Sequence, residues 1–457
     1  MAITLLPLTA AAIDGSAPAD SAVISGGTGG AIVRRSVLPG GVRVLTESMP
    51  GQRSATIGFW VGVGSRDEAE GQHGSTHFLE HLLFKGTKRR TALEIASAFD
   101  EVGGESNAAT AKESTCYYAR VLDSDLAMAI DVIADMVTSA VLDPAELEQE
   151  RDVILEEIAM DSDDPTDVAH EKFVAAVLGG HPLGRPIGGT PEAIKAVPRE
   201  SVWEHYQRHY RPETLVITAA GGLDHDDVCA QVLSALQTAG WSMDEGTVPV
   251  DRRSATPVAI EGTAGLHVHN RAVEQANIIL GCPSIVATDS RRFVMSVLNA
   301  ILGGGMSSRL FQEIREKRGL VYSTYSFASG YADAGYFGMY AGCAPAKVGQ
   351  VVSLLMAELE KLAADGITDE ELSKALGQLS GGIVLALEDT GSRMSRLGRA
   401  ELVSGEFLDI DETLGRIRSV TREQVQELAR ELAAAPRTIT VVGPFEENET
   451  FGLTLDQ

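Results

Sequence analysis

The order of elements along this chain constrains its fold more than any other feature, because it runs twice. Near the start VRRSVLPGGVRVLTESMP reads as a hairpin about Pro39-Gly40-Gly41, and SATIGFWVGVGS as a further strand. A helical stretch follows, then TALEIASAFDEVGG, a helix closed by Gly103 and Gly104. ESNAATAKESTCYYARVL alternates like strands, helices dominate from Asp123 to about Leu178, TLVITAAGGL is a buried strand and DDVCAQVLSALQTA an amphipathic helix. Beyond residue 265 the order resumes: strand ANIILGCP, helices SRRFVMSVLNAILG and SSRLFQEIREKRG, strands LVYSTYSFAS and YFGMYAGC, more helices, and a closing strand RTITVVG. An internal duplication follows. The expected class is α+β: two homologous α/β halves, each a mostly antiparallel sheet packed against helices.

A chain of 457 residues is too long for one compact core. The polar, weakly periodic stretch 245–265 is the natural linker between domains at 31–244 and 266–446. Residues 1–30 are expected to be a disordered tail: they lack the basic start and long apolar run of a signal peptide, and the arginines of a mitochondrial presequence. Residues 447–457 are read as a C-terminal tail. No apolar run reaches the roughly 18–20 residues that span a bilayer. Lys plus Arg number 38 against 64 Asp plus Glu, a net charge of −26, which argues against nucleic acid and favours cationic ligands. Cys116, Cys229, Cys282 and Cys343 form no CxxC pair, as expected of reduced thiols in a cytoplasmic protein.

HGSTHFLEHLLFKGT, residues 73–87, carries the chemistry. On a helix His77 and His81 lie on one face and can turn two imidazoles to one ion, with Glu80 close enough to reach a water there: the inverted HxxEH order. Zinc needs a third protein ligand. His73 continues the four-residue spacing, but Gly74 disfavours helix and Ser75-Thr76 are capping residues, so the helix is expected to start after His73. The other source is PAELEQERDVILEEIAMD, where Glu150 and Glu157 are seven apart and share a face with Val153 and Ile154. Standing alone this would be an acidic surface helix. Beside an HxxEH motif it favours Glu157 as ligand and Glu150 as its supporting carboxylate.

HFLEHLLFKGT followed by ERDVILEEI resembles the pitrilysin-like inverzincin metallopeptidases, within them the branch of mitochondrial processing peptidase β-subunits and their bacterial relatives. The likeness runs from about residue 33 to 445. It implies that His77, His81 and Glu157 bind one Zn2+ per chain, that Glu80 is the catalytic base and that Glu150 is essential beside it. The first domain is then catalytic and the second a substrate-binding homologue without zinc. SNAAT (106–110) is similar to the edge strand that takes substrate as an added β-strand, with Asn107 and Ala108 beside the scissile bond. REKRGLVYS is similar to the substrate signature of the second half, so Arg315 and Tyr322 would bind the substrate carbonyl region. Asp167 and Glu171 match two acidic positions that recognise an arginine near the cleavage site. The processing members have glutamate then aspartate there, so the identities are exchanged and the charge is kept. The implied activity is zinc-dependent endopeptidase cleavage of extended, presequence-like or unfolded peptides in a chamber, with basic residues favoured. A homodimer is expected to complete that chamber, or a heterodimer with a zinc-less homologue. The alternative is a non-catalytic assembly subunit like the core proteins of respiratory complexes, which have broken zinc motifs.

Overall fold

The computed structural model describes residues 4–8, 22–26 and 30–453. The chain forms two compact units, each discontinuous in sequence: Met1–Ile158, Pro186–Arg253 and Leu385–Glu412 make the first, and Ala159–Arg185, Ser254–Val384 and Thr413–Gln457 the second. Among the described residues no helix is long and apolar enough to cross a membrane.

In the first unit the described strands are β1 (Thr4–Leu5), β2 (Ala22–Gly26), β3 (Ile32–Val37), β4 (Arg43–Ser48), β5 (Ser54–Val61), β6 (Glu105–Thr110), β7 (Thr115–Leu122), β8 (Leu215–Gly221) and the short strand Glu406–Phe407. Seven of them form one sheet in the order β2-β3-β4-β8-β5-β7-β6. Only β4 and β8 run parallel; the other pairs are antiparallel. The predicted hairpin is β3-β4, turned by Gly40 and Gly41 at positive φ, which costs glycine little. Alternation sends Ile57, Phe59 and Tyr117 into the core with Phe78, Leu79, Ile130 and Ile133 of the helices on that face.

The second unit holds β9 (Gly265–Asn270), β10 (Ala276–Pro283), β11 (Val321–Gly330), β12 (Gly335–Cys343) and the closing strand Thr438–Gly443. Its sheet has the order β11-β12-β10-closing-β9, again with one parallel pair, closing strand to β9. That is the order β6-β7-β5-β8-β4 over again, with the parallel pair at the same place. The duplication read from the sequence is therefore present in strand order as well as element order.

Contiguous halves do not describe the units, however. The helix Pro165–Leu178 precedes the linker, yet its Ala169, Phe173 and Val177 pack on the second unit's sheet beside Ile279, Tyr336 and Val442. The helix Thr390–Arg399 follows the linker, yet it lies on the outer face of the first unit's sheet with β5 and β8. Gly398 permits that approach, since a Cβ there would stand 2.6 Å from the Trp60 ring. Just beyond, the fully buried Glu401 carboxylate meets Arg35 at 2.8 Å, Arg252 at 2.7 Å and Arg43 at 3.5 Å. Helical periodicity shows which face of a helix is apolar but not which sheet it will cover.

The N-terminal stretch also departs from expectation. The parts of 1–30 that the structure describes are paired: β2 lies antiparallel on β3, and β1 on Glu406–Phe407. Leu6 is 1% exposed, clustered with Ile24, Val33, Leu45, Leu397 and Phe407. A few apolar residues in a Gly/Ser/Ala-rich context suffice when a sheet edge and an apolar face await them. Residues 1–3, 9–21 and 27–29 of that reading, and 454–457 of the C-terminal one, lie outside the described residues.

Candidate metal centre

The helix carrying the HxxEH residues spans Ser75–Leu82. Gly74 begins it at φ +91°, a left-handed conformation, and a Cβ there would come within 2.2 Å of Ile194 Cδ1. Two of the unpaired N–H groups at this end are taken by one carboxylate: Glu68 Oε2 accepts from Gly74 N at 2.9 Å and Oε1 from Thr76 N at 2.8 Å. The start is thus fixed after His73, as the glycine and hydroxyl residues imply. Phe78, Leu79 and Leu82 anchor one side of the helix in the core, which presents His77 and His81 together on the other.

The second element is the helix Pro144–Asp163, anchored by Leu147 and Ile154. Its Glu157 Oε2 lies 3.4 Å from His77 Nε2 and 3.5 Å from His81 Nε2, and the two Nε2 atoms are 3.3 Å apart. Zinc bonds of about 2.0–2.1 Å at the tetrahedral angle place donors about 3.3–3.4 Å apart, so this triangle has the size the ion requires. The chemistry of the donors agrees. His81 Nδ1 is 2.8 Å from Glu150 Oε2, and a carboxylate there accepts the Nδ1 proton, leaving the lone pair of a neutral ring at Nε2, facing the triangle. Glu157 keeps 44% of its side chain exposed, so the site is open on one side.

Glu150 itself is 4% exposed. Burial pushes its carboxyl up, but hydrogen bonds from Lys85 (2.6 Å) and His81 outweigh that and hold it below the usual carboxylate range. It is therefore an anion at neutral pH. Glu80, on the HxxEH helix, accepts a hydrogen bond at Oε2 from the backbone N–H of Thr110, at 3.0 Å. Thr110 ends β6, the outermost strand on this side of the sheet. Asn107 and Ala108 lie on the same strand, the Asn107 Oδ1 accepting from Ala108 N at 2.8 Å.

The first unit thus brings together His77, His81, Glu157, Glu80, Glu150, Asn107 and Ala108. The remaining predicted residues belong to the second unit. There the Arg315 guanidinium lies 4.5 Å from the Phe311 ring centre and 5.6 Å from that of Tyr322, which is 76% exposed. Asp167 and Glu171 are exposed on the helix Pro165–Leu178, and partial burial with Asp164 and Asp161 nearby raises the Asp167 carboxyl above its ordinary range. Sequence reasoning missed Glu68, Lys85 and Thr110. Lys85 continues the His77–His81 spacing by four and was legible in HFLEHLLFK; the other two act through contacts that no spacing announces.

Two family signatures match the chain in succession: "Insulinase (Peptidase family M16)" over residues 43–191 and "Peptidase M16 inactive domain" over 196–379. An uncharacterized zinc protease of Streptomyces coelicolor is 48% identical over 427 residues, 93% of each chain. One from Mycobacterium tuberculosis is 47% identical over 411 residues, covering 90% of this chain and 93% of its own. The uncharacterized zinc protease YmxG of Bacillus subtilis is 37% identical over 413 residues, 90% and 98% of the respective chains. Among solved structures, the peptidase M16 inactive domain from Pseudomonas fluorescens superposes with a TM-score of 0.82 at 19% identity, covering 92% of this chain and all of the other. A Helicobacter pylori protease gives 0.79 at 21% identity, covering 90% and 99%. These two share the fold.

Proposed function

Since this chain belongs to peptidase family M16, we propose that it is a zinc-dependent endopeptidase with one ion per chain held by His77, His81 and Glu157. The observation that carries the reading is the donor triangle of 3.3, 3.4 and 3.5 Å with its open side. Zinc bound there would lower the pKa of a water and polarise a peptide carbonyl. The chain's own residues do the rest. Glu80 takes a proton from the attacking water and returns it to the leaving amine. Glu150 holds His81 in the tautomer that donates through Nε2. Asn107 and Ala108 line the sheet edge on which an extended peptide can add as a strand. Arg315 and Tyr322 bind the substrate's carbonyl region, and Asp167 and Glu171 favour a basic residue near the cleaved bond. The acidic balance, −26 overall, agrees with cationic peptides as substrates. A homodimer supplies two copies of every part, and a heterodimer with a zinc-less homologue is the second arrangement. Four free thiols fit a cytoplasmic setting.

The test is zinc content together with cleavage of a basic quenched-fluorescence peptide. Wild-type protein should bind one zinc and cleave, and o-phenanthroline should stop it. Glu80→Gln should keep the zinc and lose activity by about a thousandfold or more, the upper range for a lost general base being about 10⁴. Full activity in zinc-loaded Glu80→Gln would remove Glu80 from the mechanism. Wild-type protein that binds no zinc and cleaves nothing would favour the assembly-subunit reading, against which the complete ligand set now stands.

A further inference from the structure

The bond from Thr110 N to Glu80 lies at the β6 edge of the sheet, beyond which no strand pairs among the described residues, and the hairpin fixes its direction. Ala111 N donates to Ser114 O at 2.8 Å, closing the β6-β7 turn with a hydrogen-bonded pair. Such pairs alternate with non-bonded ones, so Thr110 opposite Thr115, Ala108 opposite Tyr117 and Ser106 opposite Ala119 turn their backbone groups away from β7. Those outward groups are what an added strand would use. Two are already engaged: Ala108 N–H by the neutral amide oxygen of its neighbour Asn107, and Thr110 N–H by the Glu80 carboxylate. The first bond is local and neutral, hence cheaply exchanged for a peptide carbonyl. The second is charge-assisted, so a neutral peptide carbonyl cannot match it.

We infer that Thr110 is a positioning residue whose backbone N–H is reserved for the base. It holds one Glu80 oxygen fixed and leaves the other to face the water, and it ends the substrate ladder at Ala108. A peptide added to this edge then bonds to Ser106 and Ala108 and leaves the strand at the position where the base stands. For its catalytic consequence this rests on the peptidase reading; the contact itself does not.

Amide hydrogen exchange at single-residue resolution on the zinc-loaded protein tests the contact directly. Without peptide, Thr110 N–H should be protected in the wild type and exchange at least about tenfold faster in Glu80→Ala, the order of loss for one charge-assisted bond. In the zinc-loaded wild type, which keeps the Glu80 carboxylate, adding the basic test peptide with its scissile amide reduced to CH2–NH so that it cannot be cleaved should protect Ser106 and Ala108 and leave Thr110 unchanged. Thr110→Pro removes the N–H at an outward-facing edge position, where proline is tolerated. It should lower kcat by about a hundredfold with KM within about threefold and one zinc retained, as expected when a reacting group shifts by about 1 Å. Equal Thr110 exchange in wild type and Glu80→Ala, Thr110 protection that appears only with peptide, or a folded, zinc-loaded Thr110→Pro with wild-type kcat would each overturn the inference. If Thr110→Pro does not fold, the exchange experiments decide alone. A wild-type protein without peptidase activity would fail the proposed function while leaving the peptide-free exchange comparison to judge the contact.

Discussion

Replacing Glu150 with alanine strands two partners at once. His81 Nδ1–H loses its acceptor at 2.8 Å, and Lys85 Nζ loses its carboxylate at 2.6 Å. The two losses differ in consequence. Lys85 is 35% exposed and can turn its ammonium to water, so little stability should go with it. His81 is held in place, 15% exposed on a helix anchored in the core, and without the carboxylate its ring can carry the proton on Nε2 instead. That tautomer has no lone pair to offer the ion. Outer carboxylates on ligating histidines are worth about 10–100-fold in metal affinity, or about 1.4–2.8 kcal/mol. Glu150→Ala is expected near the upper end, and Glu150→Gln, which keeps a neutral acceptor, near the lower. Competition for zinc against a chromophoric chelator at neutral pH measures this, with thermal unfolding of the zinc-free proteins as the check on fold. Zinc binding in Glu150→Ala within about twofold of wild type would refute the orienting role.

Two further outcomes follow from buried charge in the first unit. Glu401→Gln leaves Arg35, Arg43 and Arg252 facing a neutral amide in a closed site, and should cost about 3–5 kcal/mol, read as a drop in urea midpoint; a change under about 1 kcal/mol would mean that water already compensates them. Burial, more than the neighbouring cations, holds His205 at about 3 and His225 at about 4, below the roughly 6.5 of an unfolded histidine. The neutral rings favour the fold, so this contribution is complete above about pH 6.5 and is lost as pH falls towards the folded values, at up to about 1.4 kcal/mol per pH unit for each ring. Urea midpoints should be level near pH 7 and above and decline from about pH 6 to 4.5; a level response there would contradict the neutral assignment.

The motif helix was legible because its signals are local: Gly74 and two hydroxyl residues mark its start, and i, i+4 spacing sets its two histidines. Glu157 was legible because seven residues return to the same helix face as Glu150. Lys85 was legible and passed over. Glu68 and Thr110 were not, since a carboxylate capping a helix from outside it and a backbone donor on a sheet edge depend on how distant segments meet. The placement of the helices Pro165–Leu178 and Thr390–Arg399 was hidden for a related reason. Each has one apolar face, and two sheets of the same strand order offer alternative surfaces to it.

That crosswise placement bears on how the chain can be made. Arg35 and Glu401 are 366 residues apart, so the outer face of the first sheet stays bare until nearly the whole chain has left the ribosome. Val33, Leu45, Val216 and Trp60 are uncovered meanwhile, and so long a delay before closure favours slow folding and aggregation of nascent chains. A gene split within 245–265 would encode two fragments, neither holding all the segments of a unit. Each fragment alone should be insoluble, and solubility should return only when both are translated together.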